Sequence, residues 1–133
     1  MLKITLCGGS AQGPEDCVLV RTKNGTRRLA LGQLLYVEMY NRTLRYHLLE
    51  GSAIDSLTLR TSFQKAAEPL LADGRFFRCG ATIAVNLHHV MKVDGDSLYL
   101  DNGSAVPLPR GMLGEARRRW ASYRQGGSLA GIS

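Results

Sequence analysis

The sequence predicts a mainly β domain with two short helices, over about 61–72 and 111–123. Three observations carry that prediction. Short strand-like runs recur along most of the chain, turn dipeptides such as Asn24-Gly25, Asp94-Gly95 and Asn102-Gly103 separate them, and two stretches place apolar residues at helical spacing.

Residues 8–16 form a turn-rich stretch, Gly-Gly-Ser-Ala-Gln-Gly-Pro-Glu-Asp, which reads as a linker after a short apolar start. Runs at 18–22 and 26–31 flank Lys23-Asn24-Gly25, a hairpin signal because Asn and Gly tolerate positive φ. Runs at 34–39 and 43–49 flank Tyr40-Asn41-Arg42, a second hairpin. Residues 54–60 alternate, with Leu57 and Leu59 on one face, and are expected to form a strand.

The first helix rests on Phe63, Ala66, Ala67, Leu70 and Leu71, which share one helical face. Thr61 and Gln64 have the spacing of a capping box, and Gly74 stands where a stop is expected. Pro69 should kink or divide this helix, because it lacks a backbone donor. Strand-like runs resume at 76–79, 82–86, 89–93, 97–100 and 105–108. The second helix carries Leu113, Ala116, Trp120 and Tyr123 on one face, with Arg117, Arg118 and Arg119 spread over the rest. Residues 125–133 read as a frayed, flexible tail.

A chain of 133 residues, 44% hydrophobic and 21% charged, fits one ordinary globular domain. The excess of 17 Lys+Arg over 11 Asp+Glu, a formal charge of +6, favours a polyanionic partner. Five of those arginines lie from Arg110 onward, against one acid, Glu115. The three cysteines show no paired metal-ligand spacing and read as reduced structural thiols. The apolar start is too short for a signal-peptide core, and no run approaches the roughly 20 residues of a membrane helix. The expectation is a cytoplasmic protein with no membrane association.

From about residue 18 to 123 the chain resembles a LytTR domain. Four passages carry the resemblance: Leu34-Leu-Tyr-Val-Glu38 followed by Arg45-Tyr-His47; Leu70-Leu71 followed by Arg75-Phe-Phe-Arg-Cys79; Val85-Asn86 with Val90 four positions on; and Leu98-Tyr-Leu-Asp-Asn-Gly103 followed by Val106-Pro-Leu-Pro-Arg110. The resemblance implies an elongated fold of small antiparallel sheets that reads duplex DNA with loops in successive major grooves, on direct repeats, with a homodimer on DNA as one arrangement. It divides the chain into an N-terminal segment at 1–17, a LytTR-like DNA-binding domain at 18–124 and the tail at 125–133. Residues 1–7 resemble the first strand of a phosphoacceptor receiver, but Gly8-Gly9 stands where an acidic pair belongs, so no receiver is expected within this chain.

In this scheme the DNA-binding residues are Asn41, Arg42 and Arg45 around one turn, Arg78 and Thr82 around a second, Arg110 before the last helix, and Arg117 and Arg118 on it. Arg42 and Arg110 are the candidates for bidentate contact with guanine, and the helix arginines for phosphate. Arg78 has two open readings, a phosphate contact or a brace to a carboxylate such as Glu38. The chain departs from the family at Gly80-Ala81, where polar side chains are usual; this motivates an alternative, a degenerate domain that acts as a protein-interaction module or antagonist with weak DNA binding. Asn86 reads as a structural amide and His47 as a half-buried structural histidine. His88-His89 does not read as a metal site, because strand neighbours point to opposite faces. No cofactor, metal, small-molecule substrate or catalytic residue is expected: GxSxG, P-loop, HExxH and GxGxxG are all missing.

Overall fold

Phe76 and Phe77 are adjacent, both are 1% exposed, and they are buried in different cores. Successive residues of a strand point to opposite faces, so a strand with both faces covered needs apolar residues at consecutive positions. The chain is described by a computed structural model covering residues 3–6 and 16–129. Its central layer is a five-stranded antiparallel sheet ordered β6-β5-β4-β8-β7. These strands are β4 (Leu34–Tyr40), β5 (Thr43–Leu48), β6 (Ala53–Asp55), β7 (Phe76–Arg78) and β8 (Ile83–Asn86).

One face of this sheet packs on β2 (Asp16–Thr22) and β3 (Gly25–Ala30), to which β1 (Lys3–Leu6) is paired, with α1 (Phe63–Ala66) and α2 (Glu68–Leu71) closing the side. Val18, Val20, Leu29, Val37, Tyr46 and Ala84 belong to that core. The other face packs on β9 (Val90–Asp94), β10 (Ser97–Leu100), β11 (Ala105–Pro107) and α3 (Leu113–Leu129). Leu35, Val85, Leu98, Leu100, Val106 and Ala116 belong there. The mainly β class with small antiparallel sheets is therefore as expected.

Several local expectations are corrected. The 54–60 run is a strand only at β6. Beyond it the chain leaves the ladder, and its amides find separate partners: Ser56 N–H donates to Leu44 O, Leu57 N–H to Arg21 O and Leu59 N–H to Arg42 O. Leu57 is consequently 44% exposed rather than in an apolar face. The first helix is two single turns divided at Ala67, with Pro69 near the start of the second, as a missing donor demands. Its cap is Ser62, which accepts from Lys65 N–H at 3.2 Å, not Thr61. Gln64 is drawn away to Arg78 instead of closing a capping box. The last helix runs to Leu129, beyond the expected stop at 123. Gly126 and Gly127 weaken a helix by about 1 kcal/mol each but do not block it as proline would.

Residues 3–6 pair with β2 in antiparallel register, Lys3 opposite Leu19 and Leu6 opposite Asp16. Cys17 is disulfide-bonded, which corrects the reading of all three cysteines as reduced. Cys79 is free and buried, and burial pushes its thiol up to about 12. The neutral thiol therefore stabilises the fold below the ordinary thiol range, and this contribution is lost as pH rises through that range toward about 12. At pH 8 Cys79 is expected to resist a thiol-specific chromogenic reagent in the native protein and to react after unfolding in denaturant. Stoichiometric native labelling, abolished by Cys79→Ala, would contradict the burial.

Candidate nucleic-acid interface

Three loops gather at one end of the central sheet. The β4–β5 turn holds Asn41 (φ 50°) and Arg42 (φ 67°), the double positive φ of a two-residue type I′ hairpin. Glycine is favoured at such positions, and a side chain there costs roughly 1–2 kcal/mol. Arg42 is thus held where the backbone alone would prefer another residue. The β7–β8 loop, residues 79–82, projects from the same end, because Glu38 of β4 pairs with Ile83 and Met39 N–H donates to Thr82 O at 2.9 Å. The third loop follows β11: Met112 N–H donates to Pro109 O at 3.1 Å around Arg110 and Gly111 (φ 88°), the pattern of a type II turn with Arg110 at its corner.

Gly80 joins the second loop to the third. A Cβ built on it would stand 3.5 Å from the Pro109 ring, an ordinary contact distance. The order along the rim is therefore Arg42, Thr82, Gly80, Pro109 and Arg110. Asn41, Arg42, Thr82 and Arg110 are all exposed, and no acidic residue occurs within 39–43, 79–83 or 109–112.

The remaining predicted residues differ in how free they are. Arg45 forms a two-point pair with Asp55, Nε to Oδ1 at 2.8 Å and Nη2 to Oδ2 at 3.0 Å, and lies 3.8 Å over the Tyr40 ring. That hydrogen-bonded guanidinium holds the Asp55 carboxyl below the usual carboxylate range. Arg78 donates from Nε to Gly80 O at 3.1 Å and from Nη1 to Gln64 Oε1 at 2.9 Å, so it fastens the 79–82 loop to α1. Of the two readings of Arg78, the brace to Glu38 is not the one seen: Glu38 is bonded to His47 Nε2 at 2.7 Å.

Arg117 and Arg118 are exposed on the first half of α3, where the helix dipole gives a cation no support. Arg119 leaves the charged run altogether. It reaches Phe76 O at 3.3 Å and lies 5.3 Å from the Phe77 ring centroid.

Sequence reasoning missed Arg60. It is exposed and lines a shallow cleft with Met39, Arg42, Leu59 and Thr61. The only available signal was a basic residue in a run assigned to a strand. Its position depends on the Leu59–Arg42 hydrogen bond, which no local pattern announces.

His88 and His89 lie in the 3₁₀ turn Leu87–His89 rather than on a strand. His89 sits between Gly32 O at 2.6 Å and Asp101 Oδ2 at 2.9 Å, while His88 meets the Tyr123 hydroxyl. Among the described residues no group of three His, Cys, Asp or Glu side chains is arranged to hold a metal ion. Nor is any helix there long and apolar enough to cross a membrane.

No curated protein matches this sequence. Among solved structures, the LytTr DNA-binding domain of a Bacillus cereus protein is similar, with a TM-score of 0.57 and 24% identity, over 87% of this chain and 97% of that one. At that identity the likeness concerns the fold. The family profile of the LytTr DNA-binding domain matches residues 24–121, a span containing all three loops. That match covers more than half of the sequence, and the chain belongs to the LytTR family of DNA-binding domains.

Proposed function

We propose that this chain binds duplex DNA with sequence selectivity, as the output module of a transcription regulator in the cytoplasm. Arg42 and Arg110 enter the major groove as base readers, with Asn41 and Thr82 beside them. Arg45 and Arg78 act as positioning residues that stiffen the loops, and Arg117 and Arg118 attract phosphate. Paired direct repeats, occupied by two copies of the chain, are the target arrangement in this reading.

One observation carries it. Three loops distant in sequence share a continuous rim that presents exposed arginines and no carboxylate. Groove readout needs cations that are free to leave water for base edges, and a nearby carboxylate would compete for them.

The test is selection of sites from random duplex DNA with the purified chain, followed by binding of variants. Arg110→Ala is expected to lose about 1–3 kcal/mol on the selected site and much less on scrambled DNA. Arg118→Ala should weaken every sequence alike and reduce the salt slope by about 1. Equal losses on both DNAs for Arg110→Ala would remove its readout role.

Gly80-Ala81 favours a second reading, an interaction module with weak DNA binding, since the middle loop offers only Thr82 and backbone groups. A salt titration on random duplex separates the two. A steep fall with salt supports a phosphate-tracking surface, and no binding at low salt supports the interaction module.

A further inference from the structure

The basic rim continues past the β4–β5 turn onto the β2–β3 hairpin. Leu57 N–H donates to Arg21 O at 2.9 Å on the hairpin, while Ser56 and Leu59 donate to Leu44 O and Arg42 O on the central sheet. Residues 56–59 therefore join the hairpin to the turn that carries Arg42. Between them lies a groove of about 420 Å³ whose lining includes Lys23, Asn24, Arg27, Thr43, Asp55 and Thr58. Thr43 is the residue directly after Arg42, so groove and rim share backbone.

The groove is cationic for a structural reason. Arg27 pairs with Val20, and Val20 faces the core, so Arg27 is on the inner side of its sheet, beyond the end of the core. Arg21 and Arg28, opposite Thr26 and Leu19, are on the outer side. Lys23 stands at the hairpin tip, close enough that its charge adds to that of Arg45 in lowering the Asp55 carboxyl. Asp55 is the one carboxylate in the lining, and both its oxygens are already engaged by Arg45. Neither Lys23 nor Arg27 has an ion pair among the described residues. The tip is also held in place: Thr22 Oγ1 accepts from Asn24 N–H at 3.1 Å and donates to Gly25 O at 2.7 Å.

We infer that the tip of the β2–β3 hairpin, through Lys23 and Arg27, grips the phosphate backbone of the same duplex beyond the bases reached by the three loops. The inference rests on the DNA-binding reading of the rim and extends it by a fourth element. Its consequence is a footprint longer than the loops alone require. The contact is sequence-independent, because phosphates are the same at every step.

The test compares the full chain with Lys23→Ala/Arg27→Ala on duplexes that carry the selected site and flanks trimmed stepwise from each side. The double variant is expected to lose about tenfold in affinity at about 0.1 M salt, on selected and scrambled DNA alike. Its log–log salt slope should fall by about 2. Trimming one flank should weaken the wild type and leave the double variant unchanged. Arg27→Lys should retain most of the affinity, and Arg27→Glu should lose more than Arg27→Ala. A double variant equal to wild type in affinity, slope and flank dependence overturns the hairpin contact while leaving the rim intact. Failure of the wild type to bind any duplex at low salt overturns the rim reading and the hairpin contact with it.

Discussion

Asn86→Ala is expected to lower the stability of the fold by about 3–5 kcal/mol, read as a shift of the urea midpoint at unchanged slope. Asn86 is 0% exposed, and its side chain ties the turn at 31–34 to the end of its own strand. Its Nδ2 donates to Leu31 O at 3.2 Å and to Leu34 O at 2.9 Å, and its Oδ1 accepts from His88 N–H at 2.9 Å. Alanine leaves two carbonyls and one amide without those partners, at roughly 1–3 kcal/mol for each group that water cannot reach. The damage falls where the central sheet meets both flanking layers, so the rim loops should lose their common frame. Asn86→Asp keeps the acceptor and loses the donor, and an intermediate loss is expected. A shift below about 1 kcal/mol for Asn86→Ala would mean that solvent replaces the amide and the site is not sealed.

Arg42→Gly combined with Arg110→Ala is expected to reduce discrimination between selected and scrambled DNA by about 2–6 kcal/mol. On the proposed reading this is the sum of two base contacts of about 1–3 kcal/mol each, from arginines on different loops. The choice of glycine at position 42 divides stability from binding. Asn41 and Arg42 hold φ values of 50° and 67°, so removing the Arg42 side chain relieves left-handed strain while freeing the unfolded chain. Arg42→Gly alone should therefore be neutral to about 1 kcal/mol more stable in thermal melts, yet weaker on the selected site. A variant both stable and fully selective would show that the turn arginine is only a solvated corner.

Much of the architecture was legible because it is local. Asn24-Gly25 and Asp94-Gly95 mark their hairpins, Pro69 divides the first helix, and the four passages from Leu34 to Arg110 identify the family. The alternating burial of Thr43–Leu48 is likewise written in its residues. The misreadings share a cause. Thr61 and Gln64 have the spacing of a capping box, but Gln64 bonds Arg78, fourteen positions away, instead. Residues 56–60 alternate like a strand, yet their amides are divided between two sheets. Arg78 was offered Glu38, and His47 took it.

Class, family and the identity of the basic residues can be read along the chain alone, since period, turn chemistry and motif order are set by near neighbours. Which of those cations are committed follows from packing across the chain: Arg45, Arg78 and Arg119 are tied down, while Arg42 and Arg110 are left exposed on one rim and Arg60 is added to it. The reason is physical. A guanidinium is committed by the carboxylate or carbonyl that comes within about 3 Å of it, and those partners are brought close by sheet register and loop packing across long stretches of chain.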